Sequence, residues 1–334
     1  KAQTPTITLE EKVIKRIHEL LLSAGLNEIQ TSSLIGKPML DKFKISYDDE
    51  NAVKVLNAAS EDYSMLRQTL SASVLNCMKY NFDNGQKNFW AYEIGKTYIK
   101  TSPADEKNTG VKETRVLEGV LTGEVQNSKW QIKTSTDFYA VKGIMENIFN
   151  DLEVSRRIKL APLEETELAK DNNILHPYRT AVVMLLGKKP QPIGYFGQVH
   201  PTLIDKLKLN QDAFLFNLNL TELISAVKET VPRFKHLPQF PEVRRDIAFI
   251  INDDVTFEDI QKVIKSSVKQ NIFKGSEIFD VYQGEHVEDG FKSVAFRIKM
   301  QDENATLTDE IIEQQMTSVR EKLQKTYAQI SFRE

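Results

Sequence analysis

Glu277-Ile278-Phe279-Asp280-Val281-Tyr282-Gln283 and Lys292-Ser293-Val294-Ala295-Phe296-Arg297-Ile298-Lys299 are the two runs on which the fold of the C-terminal third turns. Both are rich in β-branched and aromatic residues, and turn-forming Gly284 and Gly290 lie between them, so they read as two strands of a hairpin. Working outward, Arg245 to Ile251 reads as a strand and Thr256 to Val268 as a helix. Thr308 to Tyr327 reads as a second helix and Gln329 to Arg333 as a last strand. Each helix opens on Thr followed by acidic residues, which suits the unpaired N–H groups and positive end of a helix N-terminus. The order βαββαβ predicts a ferredoxin-like domain, with two helices on one face of a four-stranded sheet and the other face open.

Successive strand residues point to opposite faces. In the first run, Phe279 and Val281 point one way and Ile278, Asp280 and Tyr282 the other. In the second, Val294, Phe296 and Ile298 oppose Ser293, Ala295 and Arg297. With the more apolar set of each strand under the helices, the open face carries Asp280, Tyr282, Ser293 and Arg297. A ring, an acceptor, a hydroxyl and a guanidinium on a bare sheet suit single-stranded RNA bases. The same residues also fit an ordinary exposed sheet surface, and the pattern alone leaves both readings open.

Upstream, Thr8-Leu9-Glu10-Glu11 has the form of a capping box. Val13, Ile14, Ile17, Leu20, Leu21 and Ala24 then recur at helical spacing up to Gly25. Strand-like runs (Phe89 to Ile99, Arg115 to Leu121, Thr180 to Leu186, Ile193 to Gln198, Ala213 to Leu218) follow, mixed with helical ones (Leu66 to Asn81, Tyr139 to Leu152, Pro201 to Leu207). The class is therefore α+β. Thr101 to Thr114, polar with Pro103 and Gly110, reads as an exposed loop. Between Val231 and Pro241, Pro232, Pro238 and Pro241 forbid a regular element, which places a linker there. The resulting domains are 1–233 and 240–334.

A length of 334 residues accommodates two such domains. With 40% hydrophobic and 27% charged residues, collagen-like and disordered classes are excluded. No run approaches the eighteen or so apolar residues a membrane span needs. Cys77 is the single cysteine, which excludes an internal disulfide or a thiolate zinc cluster and fits a reducing cytoplasm. Lys1 to Thr6 lack a signal-peptide pattern. The chain does not start with Met, so the expectation is a portion of a longer protein. The net charge of -3 offers no electrostatic pull on nucleic acid, and from Lys235 to Glu334 the balance is 14 basic against 18 acidic residues, a net of -4. RNA recognition there must rest on shape, stacking and a few aimed side chains.

Four blocks in order, Phe240 to Ala248, Phe279 to Gly284, Lys292 to Arg297 and Thr306 to Asp309, resemble the anticodon-binding domain that ends the bacterial phenylalanyl-tRNA synthetase β-subunit family. The preceding region resembles that family's synthetase-like core at Leu66-Arg67-Gln68-Thr69-Leu70, Tyr92-Glu93-Ile94-Gly95-Lys96, Leu175-His176-Pro177 and Gly194 to Pro201. Tyr178 and Gln198 are small departures, at positions where the family often has Gly and Glu. The resemblance implies that 1–233 is a degenerate, non-catalytic core of the antiparallel class II synthetase type that packs on a catalytic α subunit in an α2β2 heterotetramer. It implies that 240–334 reads phenylalanine tRNA, with Asp280, Tyr282 and Ser293 on anticodon bases. Arg297 and Arg245 are added as phosphate or base contacts, although Arg245 could equally pair with Asp246 or a neighbouring carboxylate. ATP and magnesium are implied for the holoenzyme and no cofactor for this portion. The family's magnesium-binding and editing domains would lie upstream of Lys1.

No catalytic residue is expected. By resemblance, an arginine should follow Tyr92-Glu93-Ile94-Gly95 and another should stand in a glycine-rich strand-helix motif, yet 95–100 and 192–207 contain none. Lysines such as Lys96 and Lys100 lack the bidentate fork that clamps phosphates. His18, His236 and His286 show no metal-ligand spacing, so no metal site is expected. His176-Pro177 and His200-Pro201 read as turn histidines. Leu66 to Phe82 and Asn88 to Tyr98, with Met65, Met78, Phe89 and Trp90, are candidate surfaces for the α subunit or else core. Two alternatives remain: a stand-alone RNA- or amino-acid-binding regulatory module, though the Asn252 to Thr256 turn has no glycine, and a free-standing synthetase.

Overall fold

Thr8 closes the N-terminus of α1 (Leu9–Ser23). Its hydroxyl accepts the Glu11 N–H while the Glu11 carboxylate accepts the Thr8 N–H, and Val13, Ile17 and Leu21 bury one stripe of the helix. The computed structural model describes residues 6–104, 108–125, 134–170, 172–228, 238–285 and 287–333. The chain divides into two units, Lys1–Thr230 and Val231–Glu334. Most of the expected linker, including Val231, Pro232, Arg233 and His236, lies outside the described residues, as does His286.

In the first unit α1 is followed by β1 (Asn27–Glu28), β2 (Leu34–Ile35), α2 (Lys37–Lys42), β3 (Met65–Leu66), α3 (Ser71–Asp83), β4 (Phe89–Lys100) and β5 (Val111–Thr122). Then come α4 (Phe138–Asp151), β6 (Ile158–Pro162), β7 (Leu175–Leu185), β8 (Gln191–Val199), α5 (Pro201–Lys206), β9 (Ala213–Asn219) and α6 (Leu220–Ala226). Seven strands form one sheet in the order β1-β4-β5-β9-β8-β7-β6, antiparallel except for the short β1–β4 pair. The helices α1, α4 and α6 pack one face over Leu117, Leu121, Phe196 and Phe216, while α2, α3 and α5 pack the other over Val120, Val182 and Leu215. Covered on both sides, the middle of β5 reads as a continuous apolar run rather than an alternation, with Glu118 the one acid inside it.

Two expectations are corrected here. The helix expected from Leu66 begins only at Ser71. Met65 and Leu66 form a strand against β2, the Leu66 N–H bonds the Val53 carbonyl, and Arg67 turns inward instead of continuing a helical face. The loop expected from Thr101 to Thr114 is shorter, because the β4–β5 ladder runs out to Lys100 opposite Val111. Its polar outer residues hid the strand extension.

The second unit contains β10 (Val243–Asn252), α7 (Phe257–Ser267), β11 (Phe273–Tyr282), β12 (Phe291–Met300), α8 (Asp309–Thr326) and β13 (Ser331–Arg333). Thr256 and Thr308 cap α7 and α8. The sheet order β11-β12-β10-β13, antiparallel throughout, is the ferredoxin-like arrangement. A single core lies under α7 and α8, where Phe249 and Phe296 stack at 6.0 Å between Ile260, Ile264, Met316 and Leu323. Only one face of this sheet is helix-covered, so β10 and β12 alternate between buried and partly exposed residues. The molecule is an α+β protein in both units.

Candidate nucleic-acid interface

Cross-strand register places rows of side chains on the uncovered face of the second sheet. Ile250, Ser293 and Tyr282 form one row, Ala248, Ala295 and Asp280 the next, and Asp246, Arg297 and Glu277 a third. Asp280, Tyr282, Ser293 and Arg297 therefore share one face. Asp280 is exposed and Tyr282 is 40% exposed, whereas Ser293 retains only 6% exposure beside it. Arg297 is committed to a bidentate pair, Nε and Nη2 each donating to one oxygen of Asp246 at 2.8 Å. That contact holds the Asp246 carboxyl below its ordinary range and raises the guanidinium in turn.

Arg245 does not join them. It pairs in register with Ile298, whose side chain is in the core, so its parity is that of the helix-covered face. Its guanidinium lies 3.5 Å from Asp309 at the start of α8 and donates to the Arg244 carbonyl. Of the partners left open for Arg245, a carboxylate other than Asp246 is the one it meets, and Asp246 pairs with Arg297, because neighbours along a strand point to opposite faces while cross-strand neighbours meet.

The face expected for Phe279 is also corrected. The ladder steps from Ile278 opposite Phe296 to Asp280 opposite Ala295, a β-bulge that leaves Phe279 as the extra residue. Ile278 therefore packs toward the helices. Phe279, 50% exposed, comes up on the open side, where the Arg297 guanidinium carbon sits 4.8 Å from its ring centroid. Period-2 counting misses this, since one inserted residue inverts every assignment before it. Glycine at position 275, with φ of +157°, marks a second shift in the same strand and was the available signal of irregularity.

The family description "Phenylalanyl tRNA synthetase beta chain CLM domain" matches residues 1–220, about two thirds of the chain. The chain belongs to this β-chain CLM family. A second description, "Ferredoxin-fold anticodon binding domain", matches residues 238–331. Among curated relatives, proteins named phenylalanine–tRNA ligase β subunit are similar throughout. That of Staphylococcus epidermidis is 32% identical over 93% of this chain and 36% of its own length. That of Bacillus subtilis is 33% identical over 94% and 37%, and that of Clostridium acetobutylicum 30% identical over 92% and 36%. The chain spans a little over a third of the length of these relatives.

The CLM unit holds a second polar row, whose two carboxylates are buried while its other members are partly exposed. Glu93, Glu118, Asn217 and Tyr195 lie side by side across β4, β5, β9 and β8. Ser71 Oγ donates to Glu118 at 2.5 Å, Asn217 Nδ2 donates at 2.8 Å and the Tyr195 hydroxyl at 3.4 Å. Burial nevertheless dominates and pushes the Glu118 carboxyl up to about 7. Arg67, 3% exposed, pairs with Glu93 at 2.8 Å and donates to the Lys96 carbonyl, and Thr31 adds a 2.6 Å bond to Glu93. A Cβ at position 95 would lie 2.3 Å from Arg67 Nη2, so Gly95 is what admits the guanidinium. An ATP phosphate chain does not fit here: the Arg67 guanidinium is buried and already taken by the Glu93 carboxylate, the Thr31 hydroxyl and the Lys96 carbonyl.

The remaining candidates have structural roles. His176 Nδ1 accepts the N–H groups of Tyr178 and Arg179, and His200 Nδ1 caps α5 through Thr202. His18 bonds the Tyr92 hydroxyl at 2.9 Å. Met65, Met78 and Trp90 are core and Phe89 is half-buried. Among the described residues no three His, Cys, Asp or Glu side chains gather as metal ligands, and no helix is long and apolar enough to cross a membrane. Glu118 and its partners were not singled out from sequence. A lone acid inside Val116-Leu117-Glu118-Gly119-Val120-Leu121 was the signal, because an isolated carboxylate in a doubly covered strand must be satisfied internally.

Proposed function

We propose that this chain is the part of a phenylalanine–tRNA ligase β subunit that grips the anticodon of phenylalanine tRNA with its second unit. Its first unit, an inactive relative of a class II synthetase fold, packs on the catalytic α subunit of an α2β2 enzyme in the cytoplasm. The aminoacylation itself, with ATP and magnesium, belongs to the α subunit. The observation that carries this reading is the meeting of Asp280, Tyr282 and Ser293 on an uncovered sheet face. Tyr282 offers a π surface to a base and Asp280 an acceptor to base edges, with the 6% exposed Ser293 hydroxyl beside Tyr282 for a group that reaches the sheet. For the first unit, support comes from Arg67, Glu93 and Glu118, which occupy the sheet face with internally paired groups and leave no clamp for a triphosphate.

The test is binding of a phenylalanine-tRNA anticodon stem-loop to the chain in moderate salt, for wild type and Tyr282→Ala. Saturable binding that depends on the anticodon and is lost in the variant is expected. Equal binding in both removes the open face from the reading. ATP–pyrophosphate exchange by this chain alone is expected to be absent, and a turnover signal would return catalysis to the first unit.

A further inference from the structure

We propose that Phe279 and Arg297 together form a second base-stacking platform on the open face, which takes another unpaired base of the strand whose first base stacks on Tyr282. The proposal rests on the reading of that face as an RNA-binding surface.

Three features of the face carry it. First, the bulge lifts a phenyl ring out of the core side and leaves it half exposed beside Asp280, where it takes no part in the packed core of its unit. Second, the guanidinium over that ring is preorganised. Both its Nε and Nη2 are fixed by Asp246, so the guanidinium, its carbon 4.8 Å from the Phe279 ring centroid, needs no ordering at the moment of binding. The same pairing neutralises Arg297, and Glu277 neutralises Lys299 beside it at 2.7 Å, so at this end of the face the ring and guanidinium offer stacking rather than free charge, which on the row beyond is left to Arg333 opposite Ala248. Third, the register puts short side chains between the two platforms on β10 and β12. Ser293 beside Tyr282 and Arg297 beside Phe279 are four residues apart on β12, roughly 13 Å of strand. The row between them is floored by Ala248 opposite Ala295, with Asp280 at its edge. A row of alanines with a ring on either side of it and an acceptor at its edge suits two splayed bases.

The experiment uses the chain and an anticodon stem-loop carrying a fluorescent purine analogue at one loop position at a time, with Phe279→Leu, Phe279→Tyr, Arg297→Lys and Tyr282→Ala. Phe279→Leu keeps the apolar volume and removes the π face. It should weaken binding about tenfold and abolish quenching at a loop position other than the one silenced by Tyr282→Ala. The slope of log affinity on log salt should stay unchanged. Phe279→Tyr should bind within about twofold of wild type, which separates ring stacking from damage to the bulge, and Arg297→Lys should lose affinity because an ammonium cannot lie flat on a ring. If Phe279→Leu binds as wild type while Tyr282→Ala fails, the second platform is wrong and the open-face reading stands. If all variants bind as wild type, or wild type shows no saturable binding, the open-face reading falls and takes the platform with it. Unchanged binding by Arg297→Lys, with Arg297→Ala lowering the salt slope by about one, would make Arg297 a phosphate contact and overturn the platform.

Discussion

The two sheets of this protein each carry a row of polar side chains on one face, and they treat it in opposite ways. In the first unit the carboxylates Glu93 and Glu118 are buried, and Arg67, Thr31, Ser71, Asn217 and Tyr195 bond them from within the protein. In the second, Asp280 and Tyr282 face outward, while Arg297 pairs with Asp246 and Lys299 with Glu277. The difference follows from helix placement, since the seven-stranded sheet is covered on both faces and the four-stranded sheet on one. A covered polar row must satisfy itself, whereas an uncovered one leaves groups for a ligand.

The contrast can be broken most forcefully at Arg67. Arg67→Ala leaves Glu93 buried without its counter-charge and should destabilise the first unit by about 3–5 kcal/mol. Denaturant unfolding should show that loss while stem-loop binding by the still-folded second unit persists. A loss under 1 kcal/mol would mean that water reaches the row.

Next in size is a pH effect at Glu118. Its folded-state carboxyl titrates near 7, above the ordinary unfolded value of 4.5. The folded protein thus holds a proton that the unfolded chain releases between pH 4.5 and 7. The stability from this group is complete below 4.5 and falls as pH rises to about 7, by roughly 3 kcal/mol in all. Glu118→Gln should flatten that segment of the stability curve, and an unchanged slope would show that Glu118 is ionised in its pocket.

Tyr282→Ala should cost about 1–3 kcal/mol of stem-loop binding with an unaltered unfolding midpoint, since the ring lies on the uncovered side. A shifted midpoint would turn Tyr282 into a packing residue. The smallest effect is expected at Arg245. On the helix side of β10 and paired only loosely with exposed Asp309, its replacement by Ala should leave binding within error of wild type. A clear loss there would move the RNA to the wrong face of the sheet for the present reading.

Much of this was legible before any coordinates. The βαββαβ order, both threonine caps and the shared face of Asp280, Tyr282, Ser293 and Arg297 follow from periodicity and helix-terminus chemistry. Phe279 and Ile278 were misassigned because a bulge adds one residue without changing composition. Arg67 was read into a helix because its buried carboxylate partner lies 26 positions away in sequence, beyond any local signal. Glu118 passed unremarked for the same reason: its ligands Ser71, Tyr195 and Asn217 come from three distant segments.

The sequence by itself determined the class of each unit and the residue types available to the open face, because hydrophobic period, turn residues and caps are local quantities. Only the tertiary structure decided which polar groups are free. Arg297 is taken by Asp246, Arg245 is turned away and Phe279 is lifted into view, each through a strand register or bulge that local pattern does not encode.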